Sequence, residues 1–255
     1  MKKLFQRLGS ERWDRIMFRV MRLVAHTLAR GRLRIAVKGL DHVPSRGPAI
    51  LVARHYHHLF DGIALHWAIP RRIHLLVTLD WATRPLTRYF MAAVIRAARW
   101  PVVLRQDALA RQAQGAGTQG PGAFTQKDLN RYRRKAVHDS MTLLREGRLL
   151  VIFPEGYPNV DPHYTPKTGK EEMLPFKSGF ASIAAAAETR LGGKIPLIPV
   201  GIRYTAGEPW IALVNFGAPN YAREFSSRDL LVEYLERQVR LLSGLSASAP
   251  LQPLG

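Results

Sequence analysis

The chain has 255 residues and no cysteine, and its 38 Lys and Arg residues against 19 Asp and Glu residues give a formal net charge of +19 at pH 7. Its hydrophobic fraction of 47% excludes disorder over most of the chain, and the lack of cysteine excludes disulfides, thiolate metal sites and a cysteine nucleophile. The charge predicts an anionic partner, either nucleic acid or the surface of an anionic membrane.

The N-terminal segment, residues 1–32, is predicted to be helical, with a helix over residues 11–30. Basic side chains recur there at helical spacing and form one stripe: Arg15, Arg19, Arg22, His26 and Arg30. A wide apolar arc lies beside this stripe, which favours either a helix lying in a membrane interface or an amphipathic helix packed on its own core. Arginines interrupt every apolar stretch of this segment, so no secretion signal is predicted. The longest uncharged runs of the chain, 112–126 and 241–255, are rich in Gly, Ser, Gln and Pro, so no membrane-spanning helix is predicted.

Apolar runs then alternate with segments of helical length. The runs predicted as strands are 33–37, 49–53, 73–79, 101–104, 149–153, 195–200 and 210–216. This order predicts an α/β domain over residues 33–242, with a mixed, mostly parallel central sheet flanked by helices. The Gly- and Gln-rich residues 111–125 are predicted as a flexible insertion, residues 224–242 as a final helix, and residues 243–255 as a disordered tail.

Three histidines and an aspartate follow the strand at 49–53, where a sheet of this type places its ligand site. A histidine held by a carboxylate is a simple general base, so His55 or His57 with Asp61 is a candidate pair. The alternative is that the histidines are capping or exposed groups and that Asp61 is a helix N-terminal residue. The same residues could ligate a metal, but no further cluster completes the site, so no metal is predicted.

A second polar turn follows the strand at 149–153. It reads Phe153-Pro154-Glu155-Gly156, and Glu155 could accept hydrogen bonds from a polyol or orient a base. The alternative is a plain turn with Glu155 facing solvent.

Taken in order, these segments resemble four sequence blocks of the glycerolipid (lysophospholipid) acyltransferase superfamily, which includes the 1-acyl-glycerol-3-phosphate acyltransferases. The resemblance covers residues 33–240. The matching segments are Gly39–Pro44, the turn at 55–61, Val102–Arg105, Phe153–Gly156, Leu174–Gly179, Ile195–Val200 and Phe216–Pro219.

The resemblance implies an O-acyltransferase of phospholipid biosynthesis. It would move a fatty acyl group from acyl-coenzyme A or acyl carrier protein to a hydroxyl of a lysophospholipid or glycerol-phosphate-like acceptor, without an acyl-enzyme, a metal or an organic cofactor. His55 or His57 would act as the base and Asp61 would orient it. The implied substrate-binding residues are Arg105 for phosphate, Glu155 for glycerol hydroxyls, and Gly156 and Lys177 beside them.

The resemblance and the basic N-terminal helix together imply the partners. The basic helix would dock the enzyme peripherally on the cytoplasmic face of an anionic membrane, and nucleic acid is not expected because no recognition motif is found. Other interpretations stay open: transfer to an aminolipid or glycolipid, or a non-catalytic basic protein that binds membrane or nucleic acid.

The chain departs from the family pattern in two places. The first block of the family is His-x4-Asp, and counting back from Asp61 places Tyr56, not a histidine, at the first position. Counting forward from the strand gives His55 with a local bulge before Asp61. His57 instead fits the His-x3-Asp-Gly motif of condensation-type acyltransferases. In the third block, Gly156-Tyr157-Pro158-Asn159 replaces Gly-Thr-Arg-Ser, so a second phosphate-binding arginine is missing. Lys167, Lys170 or Lys177 could replace it, or the acceptor is not lysophosphatidate.

Overall fold

Helices and strands alternate along the chain, as the apolar runs predict. The computed structural model describes residues 2–78, 85–105, 107, 125–162 and 164–245. The helices are α1 (Lys2–Ala29), α2 (Phe60–Ala68), α3 (Pro85–Ala97), α4 (Gln126–Arg145), α5 (Gly179–Leu191) and α6 (Arg228–Leu242). The strands are β1 (Leu33–Lys38), β2 (Ala49–Ala53), β3 (Ile73–Leu75), β4 (Val77–Thr78), β5 (Val102–Val103), β6 (Leu149–Ile152), β7 (Leu197–Thr205) and β8 (Trp210–Phe216).

The main sheet has six strands in the order β1-β8-β7-β2-β6-β3. All neighbouring pairs are parallel except β7 and β8, which are antiparallel. The predicted mixed, mostly parallel sheet is therefore confirmed. β2 lies at the centre and is buried along its whole length, because helices cover both faces of the sheet.

Side chains of β2 alternate between two separate parts of the core. Ala49, Leu51 and Ala53 face α1 and α2, whereas Ile50 and Val52 face α4, α5 and α6. The close packing on the second face needs Gly201 of β7, because a Cβ there would lie 2.2 Å from the Leu242 carbonyl carbon of α6. The two groups of helices therefore occupy opposite faces of the sheet.

The structure corrects the predicted strand at 73–79. β3 pairs with β6, and the chain then turns away after Leu76, so that β4 pairs with β5 in a separate two-stranded sheet. The Leu76 N–H still donates to Val151, whereas the Val77 N–H donates to Pro101. An apolar run does not reveal this change of partner, because both halves are equally apolar. The predicted strand at 195–200 is also longer than expected and continues to Thr205.

The C-terminal boundaries differ as well. The final helix begins at Arg228 instead of Glu224, because the Ser227 side chain caps it by accepting from the Leu230 N–H. Ser243 and Leu245, predicted as part of a disordered tail, are buried against the α4–α6 face. The rest of that tail and nearly all of the predicted insertion lie outside the described residues; Thr125, at the end of the insertion, caps α4.

Helix α1 begins at Lys2, nine residues earlier than predicted, and three stripes divide its surface over residues 11–30. One stripe, with Ala25 and Ala29, packs on α2 and the sheet. The predicted basic stripe lies beside it. The third stripe is apolar and exposed, and contains Trp13, Ile16, Val20, Leu23 and Val24.

A buried aspartate attaches α1 to the sheet. Asp14 is 3% exposed, and its carboxylate lies 2.8 Å from Arg72 and 3.9 Å from both Arg148 and the His74 Nε2 atom. Burial lowers the pKa of His74 to about 4. In the described part of the chain no helix is both long enough and apolar enough to cross a membrane.

Candidate active site

Polar residues follow the carboxyl ends of three adjacent parallel strands. β2 pairs in parallel with β6 and with β7, so the chain after Ala53 and the chain after Ile152 leave the sheet at the same edge, and β7 extends past this edge to Thr205. Both sequence-predicted clusters, 54–61 and 153–156, therefore meet at one place. Open α/β sheets bind ligands at this edge.

His55 and Asp61 form a hydrogen-bonded pair there. The His55 Nδ1 atom lies 2.8 Å from Asp61 Oδ2, and the imidazole stacks on Phe153 with 4.4 Å between ring centroids. The His55 side chain is 18% exposed while the Asp61 side chain is completely buried. With Asp61 ionised, Nδ1 donates its proton to the carboxylate and Nε2 is left unprotonated. No described residue bonds to Nε2, so this atom can accept a proton from a ligand.

The Asp61 carboxylate is held by three further donors. The backbone N–H groups of Tyr56 and His57 donate to Oδ2 at 2.7 and 3.1 Å, and the Tyr204 hydroxyl donates to Oδ1 at 2.8 Å. Such hydrogen bonds fix the position and orientation of the carboxylate beside His55. Burial raises the pKa of Tyr204 well above its usual value, so this hydroxyl remains a donor.

His57 occupies a different environment two residues away. Its Nδ1 atom accepts from the Leu59 and Phe60 N–H groups at 3.2 and 3.3 Å, at the start of α2. Its ring stacks on Phe60, and burial lowers the pKa of His57 to about 4. Its ring makes no hydrogen bond to Asp61 among the described contacts, so the structure pairs Asp61 with His55.

The extra residue between His55 and Asp61 is taken up by a turn that a second loop holds in place. Val160 forms an isolated bridge with His57, its N–H donates to Tyr56 at 2.7 Å, and its carbonyl accepts from His58 at 3.1 Å. The turn directs the Tyr56 and His57 N–H groups at Asp61. The departure from His-x4-Asp spacing therefore leaves the His55–Asp61 contact intact.

Glu155 also lies at this edge, but it is completely buried and paired with Lys167. The Lys167 ammonium lies 2.5 Å from Oε2, the His55 N–H donates to Oε1 at 2.8 Å, and the Leu174 N–H donates to Oε2 at 3.0 Å. Burial raises the pKa of Glu155 and lowers that of Lys167, and their mutual attraction opposes both shifts. Protein groups occupy both oxygens, so the predicted contact with substrate hydroxyls does not fit this geometry.

The segment after Glu155 is organised by the residue types that depart from the family pattern. The Asn159 amide donates to the carbonyls of Gly169 and Glu172, both at 2.8 Å, and its oxygen accepts from Lys167 at 3.0 Å. Lys167 also donates to the His55 carbonyl at 2.9 Å. Lys167, one of the three candidate replacements for the missing arginine, is therefore part of a buried network and unsuited to bind phosphate.

The predicted phosphate-binding residues come together on the other side of Glu155. The Arg105 guanidinium lies 4.1 Å from the Tyr157 ring centroid and donates to the Gly156 carbonyl at 3.4 Å. The Lys177 ammonium packs closely on Gly156: a side chain there would place its Cβ only 3.1 Å from the Lys177 nitrogen. The Gly156 φ of 78° also favours glycine. Tyr157, which also bonds Asp107 through its hydroxyl, thus occupies the centre of a cationic site formed by Arg105 and Lys177.

Sequence reasoning missed Tyr204 and the pairing of Lys167 with Glu155. Tyr204 follows the fourth block by four residues, and only the extension of β7 beyond Val200 brings it to Asp61. Nothing in the local sequence of Lys167 distinguishes it from Lys170. Within the described ranges no group of three or more His, Asp or Glu side chains could hold a metal ion.

Comparisons with known proteins agree with this geometry. No curated protein matches the chain by sequence. The crystal structure of the 1-acyl-sn-glycerophosphate (LPA) acyltransferase PlsC from Thermotoga maritima shares the fold, with a TM-score of 0.54 and 16% identity over 97% of this chain and 85% of that one. The family model described as Acyltransferase matches residues 34–203, a range that contains both clusters at the sheet edge and all four blocks. The family predicted from those blocks is confirmed: the chain belongs to the acyltransferase family.

Proposed function

We propose that this acyltransferase moves a fatty acyl group from a thioester to a hydroxyl of a lysophospholipid or glycerol-phosphate-like acceptor. The observation that carries the proposal is the His55–Asp61 pair, whose 2.8 Å bond leaves Nε2 of a partly exposed imidazole available beside a cationic site. The similarity to a solved 1-acyl-sn-glycerophosphate acyltransferase supports the same choice of substrate class.

In the proposed reaction, His55 Nε2 takes the acceptor hydroxyl proton while that oxygen attacks the thioester carbonyl. The tetrahedral intermediate collapses with cleavage of the carbon–sulfur bond, and the departing thiolate takes the proton from the imidazolium. The products are an ester and a thiol, and no acyl-enzyme forms. Asp61 stabilises the imidazolium between the two proton transfers, and its bonds from Tyr56, His57 and Tyr204 keep it in position.

Glu155 has a supporting role in this proposal. Because it accepts from the His55 N–H and pairs with Lys167, it fixes the backbone that carries the base. Arg105 and Lys177 would bind the acceptor phosphate, with Gly156 allowing close approach. Pro158 stands where the family has a second arginine, so Lys177 would supply the second positive charge of this site.

The same proposal places the enzyme peripherally on a membrane. Helix α3, which contacts α1, adds three exposed apolar side chains to those of the exposed α1 stripe: Leu86, Tyr89 and Phe90. We call these eight residues the outer apolar patch. The basic stripe of α1 lies beside it, as expected for a helix with apolar side chains in the bilayer and arginines among lipid phosphates.

Acyl transfer is tested by incubating the purified protein with acyl-coenzyme A or acyl carrier protein donors and a panel of lysolipids, and following the products by mass spectrometry. His55→Ala and Asp61→Ala should each abolish transfer, whereas His57→Ala should retain it. If His57→Ala loses transfer and His55→Ala retains it, His57 and not His55 is the base. Failure of every donor and acceptor to react would reject the proposed function.

Membrane docking is tested by flotation with vesicles containing anionic lipid. Leu23→Glu combined with Leu86→Glu should abolish binding, because it introduces two carboxylates into the outer apolar patch. Leu230→Glu combined with Leu241→Glu is the matched control, since both leucines are about half exposed but lie on α6, on the other face of the sheet. Equal loss of binding in both variants would contradict docking through the patch.

A further inference from the structure

A basic cleft opens between α4 and α5, away from the candidate active site. It has a volume of about 340 Å³. Its lining includes Arg134, His138, Met141 and Arg145 of α4 and Arg190 and Leu191 of α5, and it includes no carboxylate. We call it the α4–α5 cleft. It combines three permanent positive charges with an apolar floor.

The cleft arginines differ from other basic residues of the same helix. On α4, Arg131 pairs with Asp128 at 2.9 Å and Lys135 pairs with Asp139 at 2.5 Å. In contrast, Arg134, Arg145 and Arg190 have no acidic partner in the part of the chain that the structure describes. Three unpaired guanidinium groups around one cleft repel one another, so an anionic ligand would be bound favourably there.

The arrangement of the cations fits an elongated acidic surface better than a small phosphate compound. Arg134, His138 and Arg145 lie on one stripe of α4, and eleven residues of helix span about 16 Å. That length matches three turns of a facing helix with carboxylates on one side. No Phe, Tyr or Trp ring lines the cleft, and the imidazole of His138 is its one aromatic ring, so the lining offers less stacking surface for a nucleobase than charge for carboxylates.

The position of the cleft indicates a soluble partner. Helices α4 and α5 cover the sheet face opposite to the one that carries α1 and the outer apolar patch. With that patch in a bilayer, the cleft would face solution. It also begins close to the phosphate side of the active site, because Leu129 of α4 packs on Leu104, next to Arg105, about 8 Å before Arg134 along the helix.

We propose that the α4–α5 cleft docks an acidic helix of a soluble acyl carrier protein, which presents the acyl thioester on a flexible pantetheine arm. This inference rests on the proposed function, because it identifies the donor of that reaction. The carrier approaches from solution, while the acceptor enters from the membrane on the other face.

Docking is measured by fluorescence anisotropy with a labelled, acidic bacterial acyl carrier protein in its apo form, which lacks the pantetheine arm and therefore reports surface contact without catalysis. Arg134→Glu combined with Arg190→Glu should weaken binding at least tenfold. Arg133→Glu combined with Arg131→Glu is the control, because both residues are exposed on α4 but neither lines the cleft. Equal weakening by the two double variants would overturn the proposal, since it would show attraction to net charge alone.

Kinetics and charge exchange complete the test. The cleft variant should raise the KM for acyl carrier protein at least tenfold with kcat retained, and leave the KM for acyl-coenzyme A unchanged. A carrier in which two helix carboxylates are replaced by lysine should bind the cleft variant more tightly than it binds the unmodified enzyme. An equal rise in the KM of both donors, or loss of anionic-vesicle binding in the cleft variant, would overturn carrier docking. If no donor reacts, the proposed function fails, whereas binding of the apo carrier still decides the docking surface.

Discussion

Two halves of one turn, residues 54–56 and residues 57–61, carry similar histidines in opposite surroundings. His55 has its Nδ1 on a buried carboxylate and an exposed edge, whereas His57 is enclosed by Phe60 and Trp210 and accepts two backbone N–H groups. Burial lowers the pKa of His57, whereas the His55 ring keeps a bonded carboxylate on one nitrogen and a solvent-exposed edge. Histidines two positions apart can therefore differ in role, and we propose the first as a base and the second as a neutral helix cap, because their neighbouring groups differ.

The comparison also involves the groups behind each histidine. Asp61 receives donors from both halves of the turn and from β7, so it links the two histidines without bonding the second ring. Glu155 and Lys167 fix residues 54–56 through the His55 backbone: Glu155 accepts from its N–H, and Lys167 donates to its carbonyl. Five substitutions, two of them combined in one double variant, separate these contributions.

The largest effect is expected for Asp61→Asn. An amide would donate to His55 Nδ1 and hold the imidazole in the wrong tautomer, so kcat should fall by about 10³-fold or more. Steady-state kinetics with the best lysolipid acceptor would measure this loss. A fall of less than tenfold, in a variant with unchanged circular dichroism, would mean that Asp61 is only a structural residue of α2.

Lys167→Met should mainly reduce stability. It leaves Glu155 buried without its cation, and breaking a buried ion pair lowers the free energy of unfolding by about 3–5 kcal/mol. Adding Glu155→Gln removes the uncompensated charge, so the double variant should be more stable than Lys167→Met alone in urea denaturation. Equal stabilities of the single and double variants would show that the two side chains are not coupled.

Tyr204→Phe tests the donor to Asp61 that comes from β7. Removal of one hydrogen bond to a charged group should lower kcat by about tenfold, with little change in KM because Tyr204 does not face the cationic site. Steady-state kinetics beside urea denaturation would separate the loss of activity from any loss of stability. A changed stability with an unchanged kcat would restrict Tyr204 to packing.

The smallest effect on activity is expected for His57→Asn, which keeps a side-chain acceptor for the Leu59 and Phe60 N–H groups. We expect kcat within about threefold of the unmodified chain. The folded-state pKa of His57 is about 4, below its unfolded value of about 6.5, so protonation favours the unfolded chain. The contribution of neutral His57 to the free energy of unfolding is fully present above pH 6.5 and is lost as the pH falls towards 4.

Thermal unfolding between pH 7 and pH 4 measures this second effect. His57→Asn should flatten the decline in melting temperature, although His74, whose pKa is also about 4, leaves part of it in place. An unchanged slope would show that His57 is not buried in its neutral form.

The positions of most candidate site residues were predictable, and the exception, Glu155, has a physical cause. His55, Asp61, Arg105, Gly156 and Lys177 were all proposed from motif order, and the structure brings them to one edge of the sheet. The family resemblance implied that Glu155 contacts substrate hydroxyls, but Glu155 is buried on Lys167, which lies in a loop without secondary structure. The packed-helix interpretation of α1 is confirmed for its buried stripe, whereas the membrane-interface interpretation stays a prediction for its exposed apolar stripe.

The sequence by itself determined the α/β class, the order of most elements and the family, because periodicity and motif order are properties read along the chain. Only the tertiary structure decided which histidine meets Asp61, which lysine is buried on Glu155, and that Tyr204 completes the pair. These contacts join residues as far apart as 143 positions, as between Tyr204 and Asp61. Their formation depends on strand pairing, on the course of two loops and on burial, which change the stability of each charge in ways that no local pattern specifies.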